Sequence, residues 1–530
     1  MIAIEDKTIG AVWQEAVARS GSAPFLITPG SAPLSYSEIA AQVDRAEAVL
    51  RKAGYGPGHR AALCLGNEAS HYVLRLAMNR LGLSIVPINP DYRPGELAYV
   101  LDDSAVVLAV IAPEHEVLFR AAVEEASNIL NISVLDGDLH VDPAPTAPTD
   151  AAITPQTEAS LLYTSGTTGN PKGCILSHEY ELMVGDSYAR IGPPVALGPG
   201  DRIFNPLPAF HVNAGVLTFF AAMQVGAAMI QPARFSASSW WADVAETGAT
   251  VFHYLGVVIS VLMTNKTAGK EVLGDLRFGL GGGVEPALHV AFERRYGLPL
   301  IEIWGMTEMC RMLHMEAEPR LIETRAMGRA RKGLEVQVWD ETGAPLPPDT
   351  PGEMVLRHSE ETPRKGFFSG YLNKKEATVE AWRGGWFHTG DTVEMSSDGV
   401  ITFVDRKKNI IRRAGENIAA AEVENTLAEH EAVEAVAVVA VPDKTREEEV
   451  LACIVLAPGH AATEATARSI FDAAFAQMAY YKPPGWIRFV EALPVTGTQK
   501  VQKHRLFPEG EDPFAGAFDL RALKRRGQPG

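Results

Sequence analysis

The chain has 530 residues, too many for one hydrophobic core, so two or more domains are expected. Hydrophobic residues at 46% and charged residues at 21% are ordinary for a globular protein in water. A formal net charge of -17 disfavours polyanions, which excludes nucleic acid as a partner but leaves a small anion open to local loops.

The start, MIAIEDKTIG, lacks a basic-then-apolar signal pattern, and no apolar run is long enough to span a bilayer. Cys64, Cys174, Cys310 and Cys453 are far apart and show no metal-ligand spacing. Free thiols in a reducing cytoplasm, with no membrane partner, are therefore expected.

Short apolar strands then alternate with amphipathic helices. Strands are predicted at 62–67, 84–89 and 106–111, with helices over 70–81 and near 96–101. A Pro-rich stretch, 142–156, reads as a surface connection before the strand Ser160–Thr164. The rhythm returns with strands at 202–205, 226–230, 249–252, 276–280 and 299–303. Such alternation predicts layered α/β structure with largely parallel sheets. Past residue 404 the pattern changes to strands at 433–441, 451–457 and 486–490 around a helix over 464–478. This reads as a separate, small α+β domain. The stretch from Phe507 onward, rich in Pro, Gly and charge, is predicted to be mobile.

One segment carries most of the chemical information. After the strand come Thr164, Ser165, Gly166, Thr167, Thr168, Gly169, Asn170, Pro171, Lys172 and Gly173. Glycines let successive N–H groups converge on an anion, hydroxyls add donors, and Lys172 adds charge. The spacing is not that of a Walker A loop. A Gly/Thr-rich surface turn is the plain alternative, but it would rarely gather so many phosphate donors directly after a strand.

This loop resembles the signature loop of the adenylate-forming superfamily, and further motifs follow in the family's order along nearly the whole chain. They look most like the carnitine/crotonobetaine-CoA ligase branch. The resemblance implies a large N-terminal α/β domain (1–404), a hinge (405–409) pivoting on Lys408, and a small mobile α+β C-terminal domain (410–530). It also implies that Thr164 to Gly169 and Lys172 embrace the β- and γ-phosphates of ATP.

Pro206–His211 resembles the family's aromatic-histidine motif, which puts His211 beside the carboxylate pocket. Gly281-Gly282-Gly283 resembles the loop lying against the adenine and the acyl group. Trp304-Gly305-Met306-Thr307-Glu308 resembles Tyr-Gly-x-Thr-Glu, with Trp304 in place of tyrosine as the face for adenine. There Thr307 would bond the α-phosphate, Glu308 would help hold Mg2+, and Glu302 would lie near the adenine amino group. Asp391 would accept from the ribose hydroxyls, with Arg406 reaching the ribose or phosphates. Lys500 would be the catalytic lysine, although Gln499 replaces the usual glycine before it. Asp405 and Asn409 depart from the family pattern at the hinge.

The implied reaction joins a carboxylate to AMP, releases pyrophosphate, and transfers the acyl group to coenzyme A. Lys500, Thr307 and Glu308 are the expected catalytic group, and Ala414 and Gly415 flank the coenzyme A channel. Candidates for the acid pocket are His211, Val212, Asn213, Gly256, Val257, Gly282, Met309, Cys310 and Arg311. Arg311 could pair with a second acidic group on the acid. Two alternatives stand beside the ligase: an adenylating enzyme that loads a separate carrier protein, and a silent binder of ATP or acyl groups. Which acid is used, and whether the chain forms a homodimer, stay open at this point.

Overall fold

Strands such as Arg60–Cys64, Ser84–Pro87 and Leu108–Ile111 are buried almost throughout. That is why they read as continuous apolar runs instead of alternating ones: parallel strands with covered faces have no solvent side. The computed structural model describes residues 1–164, 171–264, 273–406, 410–494, 501, 503–507 and 510–526. It divides into two compact units. Met1–Pro90, Val100–Tyr163 and Gly173–Asp405 make the first, and Asp91–Tyr99, Thr164–Lys172 and Arg406–Gly530 the second.

Among the described residues the first unit is built on two large sheets. In one, Arg60–Cys64, Ser84–Pro87, Leu108–Ile111 and Asn131–Val134 pair in parallel. The helix Ala69–Arg80 is buried along most of its length, and charge is kept there only by pairing. Arg75 meets Glu181 at 2.5 Å with both side chains almost fully buried, and Ser160 donates to the same carboxylate. The helix Tyr36–Lys52 starts with a reciprocal cap in which Ser35 Oγ accepts from the Glu38 amide (3.2 Å) and Glu38 accepts from the Ser35 amide (2.8 Å).

The other sheet positions the site. Arg202–Phe204, Val251–Leu255, Phe278–Gly282 and Leu300–Trp304 run parallel side by side. Beyond Leu300–Trp304 the sheet turns antiparallel through Leu313–His314, Ala326–Arg329, Val400–Arg406, Phe387–Met395, Gly352–Arg357 and Glu335–Trp339. Phe278–Gly282 is glycine-rich because its neighbours come close. A Cβ on Gly281 would lie 2.1 Å from the Tyr254 carbonyl oxygen, and one on Gly282 would lie 2.6 Å from that of Ile303.

The second unit carries an α+β sheet whose long hairpin pairs Val433–Asp443 with Glu447–Leu456. Helices Ala420–Ala428 and Glu464–Gln477 supply apolar side chains to its core. The end of the chain corrects the expected mobility. Phe518–Asp519 pairs with the strand Trp486–Phe489, and the Phe514 ring stands 4.8 Å from that of Trp486. Lys524 is fully buried, with its ammonium 2.6 Å from Glu449, which also takes Arg413 at 2.8 Å. The anchors Phe507, Phe514, Phe518 and Leu520 are too widely spaced to show a period in a polar stretch, yet together they tie it down.

Candidate active site

Ligand crevices in parallel α/β sheets open at the carboxyl ends of the strands. Here three such ends lie together, with Tyr254 paired to Gly281 and Gly281 to Glu302. Glu302 points back across them. Its carboxylate accepts from the Tyr254 hydroxyl at 2.9 Å and from the Gly283 amide at 3.0 Å. Gly283 takes a φ of 81°, a conformation that suits glycine. Burial pushes the Glu302 carboxyl up to about 7 in spite of these donors.

Trp304 closes the last of the three strands and is 8% exposed. Its indole N–H donates to Asp391 Oδ2 at 2.9 Å. Asp391 is held in turn, because its amide donates to Thr389 Oγ1 (3.1 Å) and Thr389 donates to the Met354 carbonyl (2.8 Å). Just past Trp304, the Tyr180 hydroxyl donates to the Thr307 carbonyl at 2.7 Å. The Tyr371 hydroxyl donates to Glu308 Oε1 at 2.7 Å, and the Phe368 amide bonds the Glu308 carbonyl at 2.9 Å. Glu308 is buried but keeps a hard oxygen donor set.

The loop that leads to His211 is clamped from below by buried amides. Asn67 donates to the carbonyls of Leu207 (3.3 Å) and Pro232 (3.1 Å) and accepts from the Ala209 amide (2.8 Å). Gln231 donates to the carbonyls of Asn205 (2.8 Å) and Leu207 (3.0 Å) and accepts from the Tyr72 hydroxyl (2.6 Å). The loop then enters a π-helical turn, Asn213–Thr218. Gly215 belongs there because a Cβ would lie 2.2 Å from the Ala209 carbonyl. π-turns are rare and gather at functional sites.

Asn213 turns its amide oxygen inward, to Asn205 Nδ2 and His253 Nδ1, both at 2.9 Å. Burial pushes the His253 pKa down to about 3, so the ring is neutral and bonds the Tyr188 hydroxyl through Nε2 at 3.1 Å. Val257 is half-buried in the helix Gly256–Thr264, which follows the strand paired to Gly282. Met309 and Cys310 are buried, and the Cys310 amide bonds the Gly366 carbonyl at 2.9 Å. Burial raises the Cys310 thiol to about 11, so it is a packing group. Arg311 is half-buried, with its guanidinium 3.5 Å from Cys310 Sγ.

The structure thus brings together Gly283 with Glu302, and Trp304 with Asp391. Thr164 and Lys172 face each other across the ends of their strands, Thr164 Oγ1 lying 3.5 Å from the Lys172 carbonyl. Ser165, Gly166, Thr167, Thr168, Gly169, Lys408 and Lys500 lie outside the described residues. Arg406 ends the strand Val400–Arg406. Ala414 and Gly415, with φ of 50° and 90°, form the two-residue turn between Ile410–Arg413 and Glu416–Ala419. Tyr371, Tyr254, Asn67, Gln231 and His253 were not legible as site residues. Asn67, Gln231, His253 and Tyr254 had only a positional signal, their place at or just beyond the ends of strands.

Known proteins share this chain's sequence pattern and fold. The family model for AMP-binding enzyme matches residues 13–372, and that for the AMP-binding enzyme C-terminal domain matches residues 422–500. A sulfoacetate–CoA ligase from Cupriavidus necator is 31% identical over 509 residues, 94% of this chain and 97% of the relative. A crotonobetaine/carnitine–CoA ligase from Salmonella arizonae is 28% identical, covering 89% of this chain and 92% of its own. The fold matches that of a double mutant of o-succinylbenzoate CoA synthetase from Bacillus subtilis, with a TM-score of 0.81 and 22% identity over 93% of this chain and 98% of that one. With a family model covering well over half its length and a CoA ligase above 30% identity along nearly all of it, the chain belongs to the AMP-binding enzyme family of AMP-forming acyl-CoA synthetases.

Proposed function

We propose how the named residues divide the work of this AMP-forming acyl-CoA ligase. The observation that carries the reading is that Glu302 and Trp304 end one parallel strand, Glu308 follows shortly after it, and Asp391 takes the Trp304 indole N–H, each side chain held by a hydrogen bond. Trp304 offers its face to adenine, Glu302 and Gly283 border the adenine edge, and Asp391 accepts from the ribose. Ser165 to Gly169, with Thr164 and Lys172, take the outer phosphates, and Arg406 assists at the ribose or phosphates.

In the first half-reaction an oxygen of the acid attacks the α-phosphorus and pyrophosphate leaves. Thr307 and Lys500 aim donors at the charge that builds on the phosphoryl oxygens, which favours the transition state over the bound substrates. Among the described residues no group of three or more His, Cys, Asp or Glu side chains converges on a metal site. Glu308 fits Mg2+ as a single protein carboxylate, because that ion completes its shell with phosphate oxygens and water. Bound there, Mg2+ would neutralise phosphate charge. His211, Val212, Val257, Gly282 and Met309 border the acid, while Asn213 supports the wall from behind. Cys310 packs behind this wall, and Arg311, its guanidinium beside Cys310 Sγ, is the candidate partner for a second acidic group on the acid.

In the second half-reaction the coenzyme A thiol attacks the acyl carbon and AMP departs, with Ala414 and Gly415 at the pantetheine channel and Lys408 as the pivot. The same reading places the enzyme in the cytoplasm, where its four buried free thiols stay reduced. The test is Lys500→Ala. Adenylation should fall by about a hundredfold or more with ATP binding retained. Unchanged adenylation would remove Lys500 from the catalytic group.

A further inference from the structure

We infer that Trp304 helps the site read the ribose of ATP by aiming the Asp391 carboxylate, and so sets how strongly a nucleotide with both ribose hydroxyls is preferred. The inference rests on the assignment of Asp391 to the ribose. Trp304 and Asp391 are 8% and 6% exposed, and the indole N–H meets Oδ2 at 2.9 Å. A carboxylate only accepts, and the torsion that orients it is broad and roughly two-fold. A donor fixed on one oxygen therefore sets the carboxylate plane and the directions of the remaining lone pairs. The backbone beneath is held through Thr389, and the indole adds a donor at the carboxylate itself. Tyrosine, which stands here in the family pattern, has no ring-edge N–H. Trp304 thus joins a positioning contact at its ring edge to a ring face that serves the base.

The test uses the full chain and calorimetric titration with Mg-ATP and with Mg-2′,3′-dideoxy-ATP. Trp304→Phe keeps a ring face and removes the donor. It should shrink the preference for ATP by about five- to tenfold, mostly by weakening ATP, the size expected for one impaired charge-assisted hydrogen bond. In an Asp391→Ala background the preference should already be lost, and adding Trp304→Phe should leave the ratio unchanged. Equal weakening of both nucleotides by Trp304→Phe would overturn the inference, because stacking or folding alone would explain it. If Trp304→Phe does not fold, nitrogen-15-labelled tryptophan in the unmutated protein gives the answer. One indole N–H signal should move with both nucleotides, since both carry the base, but further with ATP, and Asp391→Ala should erase the difference. Identical responses to both nucleotides would refute the role. If the unmutated protein binds ATP with no preference over the dideoxy form, the ribose assignment of Asp391 fails first.

Discussion

Replacing Gln231 with alanine removes one side chain that serves three buried partners. Gln231 is 3% exposed, and it holds the carbonyls of Asn205 and Leu207 and the hydroxyl of Tyr72 at 2.8, 3.0 and 2.6 Å. The Leu207 carbonyl keeps Asn67, while the Asn205 carbonyl and the Tyr72 hydroxyl are orphaned at about 1–3 kcal/mol each, part of which an entering water recovers. A net loss of about 3 kcal/mol is expected, equivalent to a melting temperature lower by roughly 4 °C for a unit as large as this one. The damage falls on the wall that presents His211. The KM for the acid, measured by ATP–pyrophosphate exchange, should therefore rise about tenfold or more, as a small misplacement of a positioning group does. The Kd for ATP should stay within about twofold, since none of the Gln231 contacts reaches the nucleotide residues. A melting temperature lowered by less than about 2 °C, or acid and ATP affinity falling together, would refute the clamp.

Two further perturbations test the other walls. Glu302 has a folded-state pKa near 7, above its ordinary 4.5, so the buried group prefers its proton. Its contribution to stability is fully present below about pH 4.5, declines as pH rises towards 7, and stays lost above that. Glu302→Gln, which mimics the protonated form, should match the parent's melting temperature at pH 4.5 and exceed it at pH 8; a pH-independent difference would remove the buried charge from the account. Tyr371→Phe deletes the hydroxyl that orients Glu308. The Mg2+ concentration for half-maximal exchange should rise about tenfold or more, as losing an outer-shell partner does, with a smaller change in maximal rate. A Mg2+ titration that overlays the parent's would separate Tyr371 from metal binding.

Much of the fold was legible because burial writes itself into sequence. Ser84–Pro87, Leu108–Ile111 and Leu300–Trp304 are apolar runs of strand length bounded by turns, and they formed strands within a few residues of expectation. The helix expected over 464–478 is Glu464–Gln477, started by the Thr463 side chain accepting from the Thr466 amide. The stretch 164–173 and the Trp304 motif carried the family resemblance because their residues are consecutive in the chain, and the family is what the comparisons bear out. The supports behind the site were not legible. Asn67 reaches a carbonyl 140 residues away, and Tyr371 reaches a carboxylate 63 residues away, so neither leaves a periodic trace. The ordered chain end escaped for a similar reason. Lys524 looks solvated until Glu449, from another part of the sheet, arrives to pair with it. The triple glycine was read for ligand approach, whereas Gly281 and Gly282 are also required by neighbouring carbonyls.

The most direct measurement of the central claim is mass spectrometry of the intact protein incubated with ATP, Mg2+, coenzyme A and a panel of acids that includes sulfoacetate and carnitine. The account predicts a new acyl-CoA appearing together with AMP and pyrophosphate for at least one acid. ADP and phosphate as the nucleotide products, or an acyl-adenylate that accumulates and never passes to coenzyme A, would contradict it.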